Sequence, residues 1–115
     1  KNLIKEGTSE LEYFQNITIR PIIKMQHDLL ILSLRTYLKK RKIIIEGLSE
    51  NQITQKIHAI IYKDISYRNI CLGFIIGHFS SKEYIYYINH SSEIHKRIIK
   101  IIYKRFFDSL NEILN

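Results

Sequence analysis

Valine and tryptophan are absent from these 115 residues, and alanine, proline, cysteine and methionine occur once each. Each scarcity removes a class of explanation. A single cysteine, Cys71, cannot form an internal disulfide, and its place in an apolar run suits an inert buried thiol in a reducing cytoplasm. Four glycines, with no phosphate loop and no nucleophile elbow around them, leave the common short catalytic motifs without support. No Pro/Gly-rich linker or internal repeat interrupts the chain, so its length reads as one domain, able to bury a core without metal or disulfide. No apolar run approaches the roughly 18 residues of a membrane span; the longest blocks, Leu29–Leu32 and Cys71–Gly77, are core-sized. The expectation is a soluble, cytoplasmic protein without membrane association. The chain begins at Lys1 with no signal-like segment and no initiator methionine, which leaves open what precedes it.

What is abundant needs discounting. There are 25 isoleucines and eight tyrosines, and a formal net charge of +7. Isoleucine, lysine, asparagine and tyrosine are the residues that A/T-rich codons favour. Part of the positive charge is therefore bias, and isoleucine richness is no guide to β-structure. Residues held against that drift, among them Pro21, Ala59, Gly73 and Gly77, gain weight for the same reason.

Hydrophobic periodicity predicts an all-α chain: a single bundle-like domain of about five helices around a central helix near residues 21–42. Residues 1–16 read as a weakly structured N-terminal arm, with Leu11, Tyr13 and Phe14 able to pack, and residues 17–115 as the helical domain. Thr18 is a candidate N-cap, and Pro21 fits a first helical turn. Two stripes, Ile22, Met25, Leu29 and Ile23, Leu30, Leu34, Leu38, widened by Ile31 and Leu32, suggest a helix packed on most sides. Residues 43–47 are ambiguous between a fraying end and an extended piece closed by Gly47. Ser49 with Gln52 and Ser80 with Glu83 are capping boxes. Between them, Asp64 or Ser66 caps a helix running to about His78. The second box opens a short helix through Asn89, and Ser91 or Ser92 caps a last helix to about Leu114, with Ile94, Ile98, Ile101, Ile102, Phe106, Leu110 and Ile113 inward.

Five histidines prompt a search for metal or catalytic geometry. His90 and His95 are spaced so that they miss a common helical face, no His-Glu-x-x-His occurs, and Cys71 and His78 lie about 10 Å apart along a helix. No metal site, catalytic residue or cofactor is expected. Two constellations remain. Asp64 and Arg68 stand one helical turn apart and, with Asn69, His78 and His27, form a candidate ligand site; the structural alternative is an Asp64–Arg68 bridge between helices. The second is basic: Lys39, Lys40, Arg41 and Lys42 in one run, and Lys96, Arg97, Lys100 and Lys104 along the last helix, a pattern that suits phosphate contacts. The alternatives are a basic last turn that complements a helix dipole and a merely solvated face. Gly73 and Gly77, four apart, are expected to let another helix approach closely.

The segments Arg20-Pro21, Lys24-x-Gln26-x-Asp28-Leu29-Leu30, Lys63-Asp64-x-x-x-Arg68-Asn69 and Ile75-Ile76-Gly77-His78-Phe79-Ser80-x-x-Glu83-Tyr84 carry a resemblance. Over roughly Arg20 to Arg105 the pattern resembles a family of small uncharacterised bacterial proteins, some labelled glyoxalase. That resemblance implies a shared helical core with Arg68, Gly77 and His78 in its signature segment. It implies no mechanism, because glyoxalases carry a paired βαβββ module or a His-x-His-x-Asp-His motif, and neither pattern is in this chain. The leading functional expectation is a non-enzymatic interaction module for RNA or another acidic partner. A homo-oligomeric scaffold and a small ligand-binding domain or glyoxalase-labelled enzyme with an Arg68/His78 pocket are the alternatives.

Overall fold

The computed structural model describes residues 6–114. Among them there are eight α-helical segments and no strand: α1 (Glu6–Phe14), α2 (Arg20–Met25), α3 (His27–Lys40), α4 (Glu50–Lys63), α5 (Ile65–Ile76), α6 (Ser81–Ile88), α7 (Ser91–Asp108) and α8 (Leu110–Leu114), with a π-helical turn at Gln15–Ile19. The chain is all-α. No described helix is long and apolar enough to cross a membrane.

The segment expected as a loose arm is helical from Glu6 and docked. Phe14 is buried, with its ring against Phe79 (centroids 5.5 Å apart) and Tyr86 (4.8 Å). The helix then continues into the next, and Thr18 caps nothing: it lies buried in the π turn, where its hydroxyl donates to Glu83 at 3.4 Å. Pro21 explains the widened turn. A proline inside a helix offers no N–H and crowds the carbonyl four residues back, and a π turn just before it relieves the conflict. The Arg20 N–H reaches back five residues, to the Gln15 carbonyl.

The helix expected over residues 21–42 is divided at Gln26, which sits at φ −94° and ψ 13° between α2 and α3. It is not central either. Leu29 and Leu32, which widen its apolar arc in the sequence, are exposed to solvent at 41% and 59%. The organising helix is α7, which packs against α4, α5, α6, α8 and the π turn. Its Ile94, Ile98, Ile102 and Phe106 are completely buried. These four side chains follow the 3.6-residue period as a narrow stripe, and four helices close over it.

Helix ends follow local chemistry. Both capping boxes are formed, Ser49 with Gln52 and Ser80 with Glu83, each giving reciprocal backbone and side-chain bonds. Asp64 caps α5 by accepting the Tyr67 N–H at 3.1 Å. At α7 the expected serine cap is replaced by His90, whose side chain makes no cap bond and instead donates from Nδ1 to the Tyr86 carbonyl. The tyrosine-rich segment at 84–88 is helical, as its cap implies. Ser109 then separates α8 from α7.

α3 ends in a Schellman motif: the Ile43 N–H bonds the Leu38 carbonyl and the Lys42 N–H bonds the Lys39 carbonyl. Lys42 occupies the left-handed position at φ 52°, where glycine is the usual residue. Beyond it the chain is irregular, with Ile45 buried, and Gly47 turns at φ 85°.

Candidate nucleic-acid interface

The outer face of α7 and the π turn enclose a groove of about 590 Å³. Lys96, Lys100 and Lys104 recur one turn apart along it, about 6 Å per step, with Arg97 and Arg105 on the same side and Arg20 opposite. Two carboxylates, Glu93 and Asp108, are the only acidic groups among its described lining residues. They approach Lys96 at 4.0 Å and Lys104 at 3.1 Å, in exposed pairs that water and salt screen. Arg97 is held by Gln15 (2.9 Å) and Arg20 by Asn16 (3.1 Å), both neutral partners that leave the charge uncompensated. Lys100 has no partner among the described residues. The four basic residues expected on the last helix thus share one groove, and the structure adds Arg20 and Arg105, of which Arg20 could be found only through the tertiary fold.

The other basic run does not join them. Lys39 lines a separate depression beside α8, whereas Arg41 stacks over the Tyr37 ring at 4.0 Å and approaches Asp64 at 3.6 Å. Lys42 is the left-handed cap residue described above. Half of this run is therefore committed to ending α3 and fixing it to the α4–α5 corner.

The five residues of the candidate ligand cluster are dispersed. Asp64 accepts the Tyr37 hydroxyl at 2.6 Å and the Tyr67 N–H, and these bonds hold its carboxyl below the usual range. With Asp64 so engaged, the expected Asp64–Arg68 bridge does not form. His78, at the far end of α5, about 15 Å along the axis from Arg68, pairs with Gln26. His27 lies in a third place. There Arg105 donates to its Nδ1 at 3.1 Å, which leaves Nε2–H to donate to Glu112 at 2.9 Å. Only Arg68 and Asn69 remain together, in a pocket between α5 and α7 with Ser92, His95 and Lys96.

That pocket holds about 330 Å³ above a floor of Tyr62, Leu72 and Ile99. His95 accepts or donates a 2.6 Å bond with the Tyr87 hydroxyl, and burial, reinforced by the Arg68 charge, holds its imidazole below the ordinary value. Cys71 is buried in the core, its thiol pushed up to about 12 by burial, and so is inert at neutral pH.

Gly73 and Gly77 do not mediate a close helix contact. A methyl at Gly73 would meet nothing within 4 Å, and one at Gly77 would meet the Gly73 carbonyl, 2.9 Å away in its own preceding turn. No group of three or more metal-ligating side chains occurs among the described residues. No family model, curated protein or solved structure matches the chain.

Proposed function

We propose that this protein is a cytoplasmic, nucleic-acid-binding helical module that takes the phosphate backbone of single-stranded RNA along α7. The observation that carries the reading is the convergence of six cations on one groove against two exposed carboxylates. A repeat of one lysine per helical turn is of the same order as the spacing of successive phosphates on an extended strand, so neighbouring lysines can meet neighbouring phosphates. Wholly electrostatic contacts of this kind select charge density and strand shape, not sequence.

Fluorescence anisotropy with a single-stranded oligouridylate tests this. Some four phosphate contacts give a slope of log K against log salt of about −2.8, and Lys96→Glu with Lys100→Glu flattens it by about 1.4. Salt-independent binding, or full binding by the charge-reversed protein, removes the proposal. Equal competition by poly-glutamate would point to an acidic protein as the partner.

A second reading rests on α6, which buries no residue completely and exposes Tyr84, Ile85 and Ile88 on one side. This apolar strip favours self-association. Light scattering during size exclusion checks it, and a monomer at every concentration rejects it.

A further inference from the structure

The pocket between α5 and α7 joins the basic groove through a shared residue, Lys96, which lines both. Its chemistry differs from that of the groove. Arg68 and Lys96 bring two positive charges to it, and no carboxylate is among its described lining residues. Arg68, Asn69 and Ser92 have no side-chain hydrogen bond or ion pair among the described residues. Arg68 is half-buried and Asn69 and Ser92 are exposed, so their N–H and O–H groups face solvent with no described protein acceptor, beside a histidine whose protonation burial and then the Arg68 charge oppose. An arginine fork with no carboxylate to meet it matches the paired oxygens of a phosphate. The apolar floor is unnecessary for a bare anion but suits the sugar and ring of a nucleotide, and the volume accommodates one such unit.

Resting on the groove reading above, we propose that this pocket binds a terminal phosphate monoester of the strand, with the end nucleotide over Tyr62, Leu72 and Ile99. The distinction between the ends and the interior of a strand follows from charge. A monoester carries close to two negative charges near neutral pH, whereas each bridging diester carries one. Arg68, which no described carboxylate meets, and Lys96, whose exposed partner Glu93 stands 4.0 Å away, complement the former, and the groove with its lysine repeat complements the latter. The same nucleoside monophosphate chemistry could be supplied by a free nucleotide, and the two sources are separable.

The test compares a decauridylate bearing a 5′-phosphate, one bearing a 3′-phosphate, and one with hydroxyls at both ends, with free uridine monophosphate as a fourth ligand. A terminal phosphate at one end is expected to tighten binding roughly tenfold. Arg68→Met should abolish that gain while leaving the affinity and salt slope of the hydroxyl-ended strand unchanged. Arg68→Lys, which keeps the charge and loses the fork, should retain only part of it, and circular dichroism confirms that both variants fold. Lys100→Glu should weaken all three strands alike. Equal binding of the three strands by the wild-type protein, or a gain that survives Arg68→Met, overturns the proposal. If no strand binds but uridine monophosphate does so through Arg68, the groove reading fails and the pocket is a free-nucleotide site. If neither strand nor nucleotide binds, both fall.

Discussion

Residues 39–42 and 96–104 carry the same cations, three lysines and one arginine, and arrange them in opposite ways. In the first, Arg41 lies flat on Tyr37 and near Asp64, and Lys42 turns the chain in a left-handed conformation. In the second, the charges repeat with the helix and face an open groove. The difference is one of period. Four consecutive residues point in four directions around a helix end, so some of them meet the rest of the fold. Residues four apart stay on one face, so a fold that buries the opposite isoleucine stripe leaves them together in water.

Charge reversal in each stretch is the strongest way to break this comparison. Lys96→Glu with Lys100→Glu should lower RNA affinity roughly 10- to 100-fold, whereas Lys39→Glu with Lys40→Glu should change it less than about threefold. Equal losses in a side-by-side anisotropy titration would show that net charge alone matters.

Stability should respond in the reverse sense. Arg41→Ala removes the contact over Tyr37 and should cost roughly 0.5–1 kcal/mol. Lys100→Ala should stay within about 0.5 kcal/mol of the wild type in denaturant melts. The partner of Arg41 adds a pH signature. The Asp64 carboxyl is held low by the Tyr37 hydroxyl and the Tyr67 N–H, so its contribution is present above the ordinary carboxylate value. It is lost as pH falls through the depressed folded value, and Asp64→Asn should flatten the thermal-stability profile in that acid range. His95, held low by burial and by Arg68, adds a milder decline as pH drops below its ordinary value of 6.5, because the unfolded chain takes up the proton first.

Glycine chemistry gives effects of opposite sign. Gly77→Ala sets a methyl against a backbone carbonyl and should cost about 1 kcal/mol. Gly73→Ala, in open space within a helix, should gain roughly 0.5–1 kcal/mol. Lys42→Gly should also gain, by about 0.5 kcal/mol, because it relieves the left-handed strain while loosening the unfolded chain.

The features legible in the amino-acid order are those decided within one turn of helix. Ser49 and Ser80 each find a partner three residues on, and the Asp64 cap needs only the backbone next to it. The lysine repeat on α7 is legible for the same reason. The division at Gln26 has no local glycine or proline to announce it, and the π turn before Pro21 depends on α1 continuing into α2, which the weak pattern of the first residues conceals. Convergence was the least legible. Asp64, Arg68, His27 and His78 look like one constellation, yet Asp64 meets Tyr37, His27 meets Arg105 with Glu112, His78 meets Gln26, and Arg68 lines the pocket beside α7 without a side-chain partner. Conversely, Arg20 enters the groove from a segment 76 positions before Lys96.

The central claim is that phosphate lands on the α7 groove and not on the basic run at 39–42. Amide chemical-shift mapping of the 15N-labelled protein titrated with a single-stranded oligouridylate tests it most directly. The account predicts saturable shifts concentrated at Arg20 and residues 96–105, with residues 39–42 still. Shifts centred on residues 39–42, or spread evenly over all the lysines, would contradict it.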